Sequence, residues 1–151
     1  MTGSVAMEVF GWVGTSIALF FFISPVTLMW GLIKGTIKID IIPWILLIAN
    51  TGNCLLWAVY GFQQLDDKVQ VWACNSIGSV INIIYLCIYF IHLVNKRVIQ
   101  SIGVVILTLG ICALVFVLFF LYVDFAIVGK VAMGFNIIMY AAPSQKIVCN
   151  L

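Results

Sequence analysis

Two stripes of polar and aromatic side chains, set at helical spacing within otherwise apolar runs, are the residues of this chain whose chemistry calls for a partner. The first joins Asn50, Asn53, Trp57 and Tyr60 at intervals of three, four and three, which stacks two amides and two amphipathic aromatics on one helix face. The second sets Asn75, Gly78, Ser79, Asn82 and Tyr89 in the same way. An amide both donates and accepts, and an aromatic face is a flat apolar platform; together they suit a neutral ligand bearing several hydroxyls. An ionic ligand would want paired charges, and neither stripe contains an Asp, Glu, Lys or Arg. A second reading stands beside this one: in an apolar medium Asn residues also bond helix to helix, and Trp residues anchor at membrane interfaces. Each residue taken singly fits that second role, and the coincidence of two stripes keeps both readings open.

The elements that must carry these stripes are set by composition. Hydrophobic residues occupy 65% of the 151 positions and charged residues 8%, against roughly 25% charged in a soluble domain. A water-soluble core is excluded. A spanning helix needs about 20 apolar residues, and residues 9–33, 41–62, 69–94 and 98–123 each supply that without an internal charge. Residues 125–151 form a marginal fifth span, because Lys130 and Lys146 bracket a shorter uncharged stretch. The runs are continuous rather than alternating, so helices and not barrel strands are expected. Short connections predict that consecutive helices are antiparallel neighbours.

Charge sets an expected orientation. Lys34 and Lys38 lie in the first connection and Lys96 and Arg97 in the third, whereas Asp66, Asp67 and Lys68 occupy the second. The odd connections are therefore expected on the cytoplasmic side, with the N-terminus, Glu8 and Asp124 extracellular or lumenal and Lys146 cytoplasmic; Lys130 weakens the asymmetry without reversing it. The formal charge of +2 is accounted for by these flanks and implies no nucleic-acid partner. No basic region precedes the first long apolar run, so it is expected to stay as a helix rather than to be cleaved.

Prolines add a second signal. Pro25, Pro43 and Pro143 fall in the first, second and fifth runs, where a proline removes a helical hydrogen bond and allows a bend. A first-turn position is the alternative for Pro43. Gly11, Val13 and Pro25 match Gly129, Val131 and Pro143 at one constant offset, as though the fifth run restarts the first. Such repeats are the usual construction of secondary transporters.

Across nearly the whole chain these residues resemble the SWEET sugar transporters of the wider PQ-loop, or saliva, group. The carriers of the resemblance are Ser24-Pro25-Val26-Thr27, Pro43, the run from Asn53 and Cys54 through Trp57 and Tyr60 to Gly61, Asn75-Ser76-Ile77-Gly78, and Ile138-Met139-Tyr140-Ala141-Ala142-Pro143. The combination of Trp-x-x-Tyr-Gly, an acidic residue and Asn-x-x-Gly is specific, although each piece is common. The resemblance implies an all-α polytopic membrane protein: a three-helix bundle over residues 9–94, a linker helix over 98–123, and the start of a second bundle over 125–151. It implies facilitated diffusion of mono- or disaccharides by alternating access, without ion coupling, ATP or a cofactor. Carried over, Trp57 faces the sugar and Asn75 bonds its hydroxyls. Cys54 and Asn82 are added as binding candidates from the stripes. Tyr60, Gly61 and Asp66 belong to an extracellular gate, and Pro25, Pro43 and Pro143 to hinges near the cytoplasmic gate.

The sequence also departs from the pattern. A second Trp, a second central Asn and a fourth proline are expected of the second bundle and do not occur before Leu151, and residues 34–40 lack the usual Lys-Ser-Thr run. Two resolutions follow: two copies associate so that two three-helix bundles face each other, or the chain is a truncated subunit that transports nothing alone and associates with full-length transporters. A tetraspan interaction protein is a further alternative.

Other classes find little support. No paired carboxylates, nucleophile with a base, or phosphate loop occur, so an enzyme is not expected. Five cysteines scattered in apolar runs suggest neither disulfides nor a metal site, and His92 stands alone near a helix end. A cationic amino acid would call for an acidic residue inside a span, and a sorting-signal receptor for buried charges. The plasma membrane and an internal Golgi, endosomal or vacuolar membrane are equally compatible with the span lengths.

Overall fold

In a bilayer every main-chain polar group must find its partner within the protein, and a helix does this locally. A computed structural model of the chain describes the backbone of residues 2–94, 97–121 and 124–148, and the side chains of 8–66, 68–94, 97–119, 121 and 124–137. Lys96, Cys149 and the side chains of Asp67, Pro143 and Lys146 therefore lie outside the described residues. All regular structure among the described residues is helical: α1 (Thr2–Ile23), α2 (Val26–Ile33), α3 (Trp44–Gln63), α4 (Leu65–Val94), α5 (Val98–Phe120) and α6 (Phe125–Val148), with a 3₁₀ turn at Ile39–Ile41. Four helical stretches are long and apolar enough to span: Glu8–Ile33, Trp44–Gln63, Lys68–Val94 and Val98–Phe119. The chain is a multi-pass membrane protein.

The first span is two helices, broken at Ser24 and Pro25. Pro25 has no N–H to donate, and the carbonyls of Phe22 and Ile23 lose their usual partners across the break. The Tyr85 hydroxyl of α4 donates to them at 3.1 and 3.5 Å, so the break is stitched by a neighbouring helix. Pro43 acts differently from the expectation of a bend. It is the N-cap of α3, where its missing N–H would have had no helical acceptor, and its carbonyl accepts from Leu47 N–H at 3.1 Å. Pro143 lies within the backbone range of α6.

The packing order corrects the expectation that consecutive helices are neighbours. Helix α3 packs on α4, as expected, but α1 and α2 also pack on α4, which lies between α1 and α3. Likewise α5 and α6 both pack on α3. The reason is the connection after α2. Gly35, at φ 71°, ends that helix, with Thr36 N–H bonding the Gly31 carbonyl at 2.9 Å and Gly35 N–H the Leu32 carbonyl at 3.1 Å. The chain then crosses the end of α4, burying Ile39 and Ile42, before α3 begins.

Two apolar clusters result. One, at the end carrying Lys34, Lys38 and Arg97, gathers Met29, Leu32, Leu47, Tyr85, Tyr89 and Leu93. There Asp40 pairs with Arg97 at 2.6 Å and Gln100 donates to the Tyr89 hydroxyl at 2.9 Å, tying α5 to the bundle. The other joins Leu56 and Val59 of α3 to Leu118 of α5 and to Val128 and Ala132 of α6. The many exposed apolar residues on α1 and α5 need no water-facing explanation, because lipid is as apolar as they are.

Candidate functional site

The site grows from the register of α3 against α4. Near one end Gly61 meets the main chain of Trp72: a Cβ at Gly61 would stand 2.5 Å from the Trp72 nitrogen and 2.9 Å from its Cα. Further along, Asn50 Nδ2 donates to Asn82 Oδ1 at 2.9 Å, and Asn82 Nδ2 lies 2.8 Å from the Gly78 carbonyl and 3.8 Å from Cys54 Sγ. The helices are antiparallel, and interpolating between these contacts sets Asn75 level with Trp57 and Ala58. The two residues singled out from opposite stripes thus share one depth.

They also share one side. On α4, Cys74, Gly78 and Tyr85 meet α1, through the Thr15 carbonyl, the Phe22 ring and the Phe22 carbonyl. Trp72 and Asn82 meet α3. Asn75 falls between these two faces, toward the concave side flanked by α1 and α3, and is half-buried. Its Nδ2 is held by the Val71 carbonyl of its own helix at 2.9 Å. Among the described residues its Oδ1 makes no hydrogen bond, so the side chain offers an acceptor. Trp57 is also half-buried and stands edge-on to Tyr60, ring centroids 5.4 Å apart at 83°.

The other candidates separate. Cys54 is 0% exposed and Asn82 1% exposed, both closed within the α3–α4 interface, and Asn82 spends its amide on Asn50, Gly78 and Cys54. Tyr60 turns toward α6, where a Cβ at Gly129 would come within 3.2 Å of its ring. Gly61 is the close-approach point with α4, and Asp66 is exposed in the first turns of α4 before the irregular residue Lys68. These three residues occupy one end of the bundle. The charged side chains among the described residues lie near helix ends or in connections, so the central zone is neutral and hydrogen-bonding.

Three participants escape sequence reasoning. Tyr85 was hidden because nothing local marks it as the donor that repairs a break on another helix. Gly52 is where Ile111 of α5 and Phe135 of α6 converge, at 3.0 and 3.3 Å from a notional Cβ. Asn136 of α6 is half-buried, and only the packing of α6 on α3 gives this lone amide a place.

Comparison with known proteins gives the family. The profile of a family described as "Sugar efflux transporter for intercellular exchange" matches residues 8–98. The chain is 28% identical to bidirectional sugar transporter SWEET8 of Arabidopsis thaliana, covering 93% of this chain and 62% of that protein. It is 33% identical to bidirectional sugar transporter SWEET1a of Sorghum bicolor, covering 92% of this chain and 54% of the relative. A solved eukaryotic SWEET transporter superposes with a TM-score of 0.77 at 24% identity, over 96% of this chain and 70% of that one. The chain thus spans between about half and three fifths of the length of these curated relatives. With a neutral, amide-bearing centre inside a helical membrane fold and a family match over most of its length, this chain belongs to the SWEET family, which is one of sugar transporters and not of enzymes.

Proposed function

We propose that this chain takes part in facilitated, bidirectional movement of mono- or disaccharides across a membrane by alternating access, with the N-terminus extracellular or lumenal. The observation that carries the proposal is the shared depth and side of Trp57 and Asn75, with Asn75 Oδ1 unengaged. A sugar hydroxyl donates to that oxygen while a ring face of the sugar lies against Trp57. Cys54 and Asn82 act one layer behind, fixing α3 to α4 so that the two contacting residues keep their spacing. Tyr60, Gly61 and Asp66 form the gate at the acidic end, and the break at Pro25, with Pro143, supplies bending at the other. Residues 9–94 act as one three-helix unit, 98–123 as a linker and 125–151 as the opening of a second unit.

A second three-helix unit completes the pathway, contributed by another copy of this chain or by a related full-length protein. The free face of α1, with Phe10, Trp12, Val13, Ile17 and Phe20 exposed, is consistent with such a neighbour. The same face supports the alternative of a non-transporting subunit that associates with full-length transporters.

Uptake of radiolabelled glucose and sucrose into proteoliposomes tests the proposal. The expected result is saturable flux from the chain that falls in Trp57→Ala and Asn75→Ala at unchanged protein abundance. Flux equal to that of empty vesicles rejects transport by the chain alone, and stimulation only on co-reconstitution with a full-length relative favours the subunit reading.

A further inference from the structure

At the basic end of the bundle a groove of about 730 Å³ opens between the first residue of α3 and the first turns of α5. It is bordered by Trp44, Arg97, Val98, Ile99, Gln100 and Gly103, and so lies apart from Trp57 and Asn75. Its volume falls within the range of about 300–1,000 Å³ usual for small-molecule sites. Val98 and Ile99 are exposed, and nothing lies within 4 Å of a Cβ built at Gly103. In a spanning helix such a surface meets lipid, so an occupant of the groove comes from the bilayer. Arg97 stands just before α5, at the end of the groove nearest water.

Arg97 is held in place without being saturated. Its Nη2 pairs with Asp40 Oδ1 at 2.6 Å and its Nη1 donates to Gln100 Oε1 at 3.5 Å, while Gln100 itself donates to the Tyr89 hydroxyl. A guanidinium carries five N–H groups in a rigid fork that matches phosphate, and the Arg97 side chain remains 51% exposed. Asp40 does not cancel the charge at this end. Lys34, Lys38 and Arg97 all stand there, and Asp40 is the one acid beside them among the described residues. Trp44 is half-buried, with the amphipathic ring that settles at the boundary between hydrocarbon and headgroups. A cation and a Trp at the mouth of an apolar, lipid-facing groove complement a molecule with an anionic head and a hydrocarbon tail.

We propose that this groove binds an anionic phospholipid, its phosphate accepting hydrogen bonds from Arg97 and its first acyl carbons lying along Val98, Ile99 and Gly103 beside Trp44. On the orientation proposed above, the lipid belongs to the cytoplasmic leaflet, which is the anionic one. The inference rests on the membrane fold and is independent of the sugar pathway. A lipid seated there touches both α3 and α5, at the end where the Asp40–Arg97 pair and the Gln100–Tyr89 bond already tie α5 to the bundle. It therefore steadies the docking of α5.

The test is native mass spectrometry of the intact chain in detergent micelles, titrated with palmitoyl-oleoyl phosphatidylglycerol or with the phosphatidylcholine of the same chains. The unmodified chain is expected to retain phosphatidylglycerol about fivefold more tightly, the contribution of one basic side chain near a charged headgroup. Arg97→Gln is expected to abolish that preference. Gly103→Leu fills the groove while leaving Arg97 and its partners in place, and is expected to weaken phosphatidylglycerol binding about fivefold or more. Because a Cβ at Gly103 meets no neighbour, this variant keeps the inference testable should the Arg97 variant not fold. Lys34→Gln removes a cation of the same end that sits over the Trp30 ring, and is expected to leave the preference intact. Equal retention of the two lipids by the unmodified chain overturns the inference. So do an equal loss in Arg97→Gln and Lys34→Gln, which would mean diffuse charge attraction, and unchanged binding in Gly103→Leu, which would seat the lipid elsewhere. Displacement of the lipid by an equal concentration of glycerol 3-phosphate also overturns it, since the site would then be one for free phosphate. Sugar flux enters none of these readings, so the transport proposal stands or falls separately.

Discussion

Replacing Gly61 with alanine sets a methyl group against main chain rather than against a side chain that could turn away. The added Cβ would lie 2.5 Å from the Trp72 nitrogen and 2.9 Å from its Cα, where ordinary contact begins at 3.4 Å. Helices α3 and α4 must part by roughly 1 Å there, and overpacking of this kind costs about 1–3 kcal/mol. Alanine recovers up to about 1 kcal/mol through its better helix propensity. A net loss of about 1–2 kcal/mol corresponds to a fall in Tm of about 2–8 °C for a chain of this size. Gly110 is the internal control, because nothing lies within 4 Å of a Cβ built there; Gly110→Ala is expected to hold or raise Tm. Thermal unfolding in detergent micelles, followed by intrinsic fluorescence, gives both values. Because Trp57 is one turn from Gly61, the same parting widens the gap between Trp57 and Asn75, and glucose affinity is expected to fall with Tm. Equal melting of Gly61→Ala and Gly110→Ala would refute the reasoning, since it would mean that α3 and α4 are not in main-chain contact at this point.

Tyr85→Phe removes the hydroxyl that serves the Phe22 and Ile23 carbonyls while keeping the ring. It is expected to lower stability by about 1 kcal/mol, and to speed amide hydrogen exchange in residues flanking Pro25; exchange unchanged at that break would show that the hydroxyl does not hold it. Asn82→Leu strips Asn50 of its partner, and interhelical bonds of this type in membranes are worth about 0.6 kcal/mol on average and up to about 1.7. The expectation is a modest drop in Tm with sugar specificity retained, and a changed preference among deoxy sugars would move Asn82 from the helix interface into the pathway.

Much of the fold was legible because it depends on local composition. Uncharged runs of sufficient length must lie in lipid, and a chain in lipid must close its hydrogen bonds within helices, so the spans at Glu8–Ile33, Trp44–Gln63, Lys68–Val94 and Val98–Phe119 fall close to where hydropathy puts them. The polar stripes were legible for the same reason: helical periodicity fixes which residues share a face. What each stripe residue does was not legible. Asn53, Asn75 and Asn82 are one residue type in similar apolar surroundings, yet one is an orphan, one leaves an acceptor free and one is spent between helices.

By itself, then, the sequence determined the solvent, the helices, their faces and a family resemblance that the comparisons bear out. The tertiary structure decided that α4 stands between α1 and α3, that Pro43 starts a helix whereas Pro25 breaks one, and that Trp57 and Asn75 stand at one depth. The physical reason is that partnership between helices depends on adjacency and register, set by contacts such as Gly61 against Trp72 and Asn50 with Asn82 that lie far apart along the chain. No periodicity within a single helix carries that information.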